Sequence, residues 1–420
     1  MPGDRASYAR LLLLWVCLVV SVLAWRAGVY FSGGVDPVVA GKSLLVLVAL
    51  VIAFRETTQS AAGAAIGARS FCLVTAYLVL TSLGAMAAGS IFASVVLAGR
   101  VLLLAITIML TVRAWPLADV FRSLLTAMAA IGLVISVAGA RSFLSGGRLT
   151  GGILPLNPNQ IAFLLGPPIL GLFWRLLHGA GCRGDLAAVS VLLGLTWLTG
   201  SRTGLLALLL GLVVVVLQVR RIPVPAFVGL VLTLPALLYF GFATNVADSF
   251  FSRGGTQSVT TLNSRTIAWH AAFSGGGGFW KEWFGGGLSV KTIPVTGTYW
   301  ATQVVDSSWV SAFVQGGLIG LILLGVWSVV VLVSALRTPA PWRAFCSAVV
   351  VYVIARSVTA TGLIDSEAMF LVMFAIAVST ESVTRRAMVD RRVPSGPAAR
   401  DGLASPSNVS GTNQILAAGR

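Results

Sequence analysis

"LTWLTGSRTGLLALLLG", residues 195–211, joins two apolar runs through a single Ser201-Arg202 step. Runs of this kind belong in a membrane, so the arginine lies close to hydrocarbon. A charge there costs about 2.5–3.5 kcal/mol even on the lenient insertion scale. A turn at a membrane surface does not need an arginine, so Arg202 is expected to hold something.

The rest of the chain agrees with the membrane reading. Of its 420 residues, 57% are hydrophobic and 10% charged, with a mean hydropathy of +0.93. A soluble domain carries about 25% charged residues. The four cysteines show no CxxC spacing, and three lie in apolar runs, where a free Cys behaves as a small hydrophobe. Neither a disulfide framework nor a zinc site is expected. The N-terminal "LLLLWVCLVVSVLAW" imitates a signal peptide, but no small-residue cleavage site follows and Trp25-Arg26 suits an interface.

A membrane span needs about 20 apolar residues. Candidate spans run at 11–31, 37–54, 70–88, 91–112, 117–140, 157–177, 186–199, 203–219, 223–243, 307–335, 344–362 and 365–383. The expected fold is therefore an all-α polytopic membrane protein of about twelve transmembrane helices. The positive-inside rule places Arg55, Arg69, Arg113, Arg183, Arg220, Arg221, Arg337 and Arg343 in the cytoplasm. Both termini fall on that side, and the net charge of +16 is explained without nucleic acid. One transmembrane domain is expected over 1–386, with a large extracytoplasmic loop at 243–306 rich in Gly, Ser and Thr. A polar, disordered cytoplasmic tail is expected over 387–420, its basic start attracting anionic membrane lipids. A connection as long as 243–306 without its own domain is usually functional.

Several cations break the positive-inside pattern. Arg141, Arg148, Arg202, Arg253, Arg265, Lys281 and Lys291 fall on the outer side, and Arg100 and Arg356 lie within spans. An arginine offers a rigid fork of donors suited to phosphate, so several converging at the outer boundary would hold the diphosphate of a lipid whose tail stays in the bilayer. Arg202, Arg100 and Arg356 are the candidates. Arg141, Arg148, Arg253 and the two lysines are expected to be solvated loop charges. Asn157-Pro158 reads as a helix start. Gly166-Pro167-Pro168 should kink the helix that follows. The Gly275–Gly278 and Gly285–Gly287 runs read as anion-binding nests or linkers, and Asp365 and Glu367 as helix-start residues favoured by the dipole. His178 is expected to be inert, and His270 is a minor candidate base.

What is missing narrows the chemistry. GxxxxGK[ST] is absent, so nothing indicates an ATP-driven pump. HExxH and Cys/His clusters are absent too, and the acidic residues number only 13. No metal and no cofactor are expected, so phosphate handling would rely on arginines. Asp306 closes the large loop and opens a span. It reads equally as a helix N-cap or as a partly buried carboxylate whose raised pKa suits a general base.

These stretches resemble the O-antigen ligase and O-antigen polymerase superfamily. "NPNQIAFLLGPPILGLFW" (157–174), "TWLTGSRTGLLALLLGLVVV" (196–215), "SRTIAWHAAF" (264–273) with "FGGGLSV" (284–290), and "DSSWVSAFVQGGLIGLILL" (306–324) follow in its order. The pattern is an Asn-rich span opening, a Thr-x-Ser-Arg step, and an outer loop with Arg-x-x-x-Trp and a Gly-rich turn. A polar residue then opens a span. The resemblance covers roughly residues 150–335. It implies a glycosyltransferase that moves a preassembled glycan from a polyprenyl-diphosphate carrier to an acceptor hydroxyl outside the cytoplasmic membrane, without nucleotide sugar. By motif position Arg202 and Arg265 would bind the diphosphate, and Asp306 would take the hydroxyl proton. The ligases carry a histidine where this chain has Asp306-Ser307, a departure that favours polymerases or ligases of other surface glycans. The competing class is a secondary transporter or lipid-linked glycan exporter, although the halves show no internal similarity.

Overall fold

The computed structural model describes residues 3–31, 33–59, 67–145, 147–219, 263–274, 278–295 and 302–392. Among the described residues fourteen helices and one hairpin follow in chain order. They are α1 (Gly3–Val22), α2 (Pro37–Gln59), α3 (Arg69–Ala87), α4 (Ile91–Ala114), α5 (Leu117–Ala138), α6 (Ala140–Leu144), α7 (Pro158–Leu177), α8 (Arg183–Leu198) and α9 (Arg202–Leu217). After these come α10 (Asn263–Ser274), α11 (Gly278–Phe284), β1 (Thr292–Pro294), β2 (Thr302–Val304), α12 (Ser308–Arg337), α13 (Trp342–Ser357) and α14 (Ala368–Arg392).

Among the described residues seven helices, namely α1 from Arg5, α2, α3, α4, α5, α7 and α12, are long and apolar enough to cross a membrane. This is the make-up of an all-α multi-pass membrane protein. Helices α8, α9 and α13 have 16 residues each. That is about 24 Å of rise against a hydrocarbon core of about 30 Å. The expected span at 223–243 lies outside the described residues.

Three boundaries differ from the sequence reading. The first helix ends at Val22 rather than near 31, because Trp25 Nε1 folds back onto the Val20 carbonyl (3.0 Å) and Arg26 pairs with Asp36 (3.3 Å). The last helix continues past 386 to Arg392. The segment at 243–306 carries secondary structure in its described parts, and residues 243–262 lie outside the described residues. Its described parts form α10, α11 and an antiparallel hairpin in which Ile293 faces Gln303, and Ile293, Val305 and Val310 make a small core with Trp269.

Helix α14 organises the bundle. Every residue from Met369 to Val378 is buried, and it packs on α12, α4, α13, α3, α1 and α7. Those six neighbours, rather than its apolar composition alone, put it in the middle, so the residues just before it stand at the centre of one end of the molecule. Toward the other end its Glu381 caps α3. Glu381 accepts from Arg69 N (3.1 Å), Ser70 N (3.0 Å) and Ser70 Oγ (2.6 Å), and the bare Gly67 makes room for it. Glu381→Ala strands these donors, and hydrogen bonds to a charged group are worth about 1.5–3 kcal/mol. A loss of that size should appear in thermal unfolding in detergent, and an unchanged midpoint would count against the brace.

Helix α12 is broken at Gly317, which has φ 63° and ψ −162°. Broken backbone is tolerated in a membrane protein where protein partners satisfy it. Here Gly286 N donates to the Val314 carbonyl and Gly287 N to the Gln315 carbonyl, both at 2.9 Å. The Gly285–Gly287 run is therefore neither nest nor linker. It plugs the break, and a Cβ on Gly285 would lie 2.3 Å from the Gln315 carbonyl carbon. Residues 275–277 of the other glycine run lie outside the described residues. Helix α7, by contrast, stays continuous through Pro167 and Pro168. A cavity of about 880 Å³ lies beside Pro168 and Gly171, between α5, α7 and α8.

Candidate functional site

The starts of α7 and α9 and the last turn of α13 meet. Asn157 caps α7 in a capping box with Gln160, and Pro158 takes the first turn, as the sequence suggests. Ser201 caps α9 by accepting from Gly204 N (3.3 Å) and donates to Asn159 Oδ1 (2.7 Å). Arg356, only 1% exposed, bridges the two helices. Its Nη1 donates to Thr203 Oγ1 (2.5 Å) and its Nη2 to the Asn159 carbonyl (3.1 Å). One turn earlier Tyr352 stacks on Phe163 at 5.6 Å, with its ring over the bare Gly166. Arg202 is the first residue of α9 and is half-buried. Two helix N-termini with two arginines make this junction electropositive and suited to an anion.

Beside it stands the connection between α13 and α14, tied to the start of α12. Ser308 N and Oγ both donate to the Ala360 carbonyl (3.0 and 2.8 Å), and Leu363 N donates to Ser308 Oγ (3.2 Å). Asp365 forms an ion pair with Lys291, both side chains more than four-fifths buried. Glu367, two residues on, is half-buried. Burial, and then the charge of Asp365, push its carboxyl up to about 7, against Lys291, the Thr361 hydroxyl and Lys42. Asp365 also acts on Lys42 of α2 and Arg100 of α4. Arg100 is 7% exposed. Its Nη2 reaches the Ser21 carbonyl (3.3 Å), while its Nε has no hydrogen-bond partner among the described residues. The Tyr30 phenol is pushed up by burial, then by the charges of Asp306 and Glu367.

Arg202, Arg356, Arg100 and Asp306 thus stand at one end of the bundle, near the start of α14. Arg265 lies on α10, which packs against α12 and the hairpin, and its side chain falls outside the described residues. Asp306 is exposed and is not the N-cap of α12. That position belongs to Ser307, so neither the capping role nor the partial burial expected of Asp306 is met. His270 is exposed on α10. Two of the cations read as solvated loop charges are held. Lys291 pairs with Asp365, and Arg148 braces the end of α8 through the carbonyls of Thr199 (2.9 Å) and Gly200 (3.2 Å). Arg141 and Lys281 are exposed as expected, and Arg253 lies outside the described residues.

Sequence reasoning did not single out Lys42 or Tyr30, and it read Glu367 only as a helix-start residue and Lys291 as a solvated loop charge. A signal for Glu367 exists, because it is one of few carboxylates in the chain and directly precedes the most completely apolar run. No protein-family model matches the chain, and no curated protein matches its sequence.

Proposed function

We propose that the protein is a membrane glycosyltransferase. It moves a glycan from a polyprenyl-diphosphate carrier to an acceptor hydroxyl on a glycan or glycolipid, at the extracytoplasmic face of the cytoplasmic membrane. In the twelve-span arrangement of this reading, both termini are cytoplasmic and the site end faces outside. The observation that carries this reading is Arg356, a buried guanidinium set between the starts of α7 and α9 with Arg202 on the adjoining residue of α9. An arginine in such a place neutralises charge developing on a departing diphosphate. Arg202, Arg356, Arg100 and Arg265 form the donor clamp, and these cations serve where a metal would otherwise be needed.

The transporter alternative draws on the broken α12, since transporters use broken helices to coordinate their cargo. In this chain the carbonyls freed by the break are occupied by Gly286 and Gly287, which favours the enzyme. The test is reconstitution with a radiolabelled polyprenyl-diphosphate glycan. Release of free polyprenyl diphosphate with a glycosylated acceptor is expected. Intact donor accumulating on the opposite leaflet would identify an exporter and overturn the proposal.

A further inference from the structure

We propose that Glu367 is the catalytic base of this site, taking the proton of the acceptor hydroxyl in a cavity it shares with Arg356. The inference rests on the glycosyl-transfer reading and adds a catalytic residue to it. The cavity has a volume of about 50 Å³, and its polar lining is Asn159, Gln160, Arg356, Thr361 and Glu367. That is too small for a sugar ring and large enough for a water, which needs about 10–15 Å³. A hydroxyl at the mouth would reach the carboxylate directly or through one water, the geometry general-base catalysis requires.

The carboxylate is placed for this work. Glu367 precedes the first turn of α14, where a side chain ordinarily caps the helix. It turns instead onto the preceding loop, with Oε1 accepting from the Thr361 hydroxyl (3.4 Å). Oε2 lies over Gly362, whose φ is +113°, 2.5 Å from where a Cβ would be. Lys291 holds the neighbouring Asp365, which leaves Glu367 as the carboxylate on the cavity. In the reaction the acceptor oxygen bonds to the anomeric carbon as its proton passes to Glu367. The bond from that carbon to the phosphate oxygen breaks, and its electron pair leaves with the diphosphate beside Arg356. The proton then escapes to the outer solvent, on the side where Tyr30 and exposed Asp306 stand.

The groups facing Glu367 set its titration. After burial, Asp365 in its own loop raises its pKa, and Lys291 before β1, the Thr361 hydroxyl and Lys42 of α2 lower it. Tyr30 of the α1–α2 connection feels its charge, and Arg356 of α13 lines the same cavity. Burial and Asp365 hold the proton on, so the base is unloaded only as pH rises through about 7. Single-turnover transfer should climb through that range. The sign for stability is opposite. A carboxyl raised above its unfolded value contributes stability below the unfolded pKa, and this is lost as pH rises through about 7.

The experiment uses the full chain in proteoliposomes with the labelled polyprenyl-diphosphate glycan. Glu367→Gln should lower single-turnover transfer by about 10²–10⁴-fold, the range of general acid–base catalysis, and leave donor binding near wild type. Asp365→Asn removes a like charge and should move the rising limb to lower pH, a shift that a merely structural Glu367 would not give. It also serves if Glu367→Gln fails to fold. Transfer by Glu367→Gln at the wild-type rate, or a limb unmoved in Asp365→Asn, overturns the assignment while the glycosyltransferase reading stands. A wild-type protein that releases no polyprenyl diphosphate overturns both.

Discussion

Gly317→Ala is expected to lower stability by about 2–6 kcal/mol, summing about 1–3 for backbone strain and about 1–3 for overpacking. At φ 63° and ψ −162° the residue occupies a region that only glycine enters readily. A Cβ there would lie 2.3 Å from the Trp283 carbonyl carbon and 2.4 Å from its oxygen, and backbone atoms cannot swing aside as a side chain would. If the chain relieves the clash by making α12 regular, the carbonyls of Val314 and Gln315 turn back into the helix, and Gly286 and Gly287 lose their acceptors. The start of α12 would then shift, and with it Ser308, which anchors the loop carrying Glu367. Transfer should therefore fall along with the melting temperature. Gly325→Ala is the comparison, because its nearest neighbour would be a Trp309 ring carbon at 3.9 Å. Alanine there should be neutral or stabilising by up to about 1 kcal/mol. Equal melting of the two variants would mean that the break at Gly317 is not maintained by its neighbours.

The sequence makes some parts of this site legible and hides others for physical reasons. Arg202 stands out because a charge between two apolar runs has no inexpensive explanation, and Asn157-Pro158 announces a helix start by local chemistry alone. Lys291 looks like any polar-loop lysine, because its partner Asp365 is 74 residues away. Arg148 has the same difficulty, since it braces carbonyls 51 and 52 residues along the chain. The glycines at 285–287 read as flexible because their role depends on a break in a different helix. Asp306 misleads in the other direction. Its position before an apolar run suggests a cap or a buried base, yet the chain turns one residue later and leaves it exposed. Glu367 is only half legible. The apolar run from 369 to 378 narrows the choice without settling it, because such a run can face lipid or protein; the packing of α14 on six other helices places the carboxylates that introduce it.

Arg202→Lys separates an anion clamp from a boundary charge. Lysine keeps the positive charge and the helix propensity at the first turn of α9, where Ser201 still supplies the cap, so insertion and melting should stay close to wild type. What is lost is the planar fork that meets two phosphate oxygens at once. Removing one such preorganised donor lowers turnover by about 10²–10³-fold, and this is the expected fall in single-turnover transfer. Arg356→Lys should behave differently. The guanidinium bridges Thr203 and the Asn159 carbonyl from a buried position, so this variant should lose stability together with transfer. Thr203→Val removes only the hydroxyl that receives Arg356 Nη1 and nearly keeps the shape. It should weaken donor binding by less than Arg356→Lys does. Transfer at the wild-type rate in Arg202→Lys would return Arg202 to the standing of a boundary charge held by its own surroundings. Arg356 would then carry the diphosphate with Arg100 and Arg265, and Arg265→Ala becomes the next variant to measure.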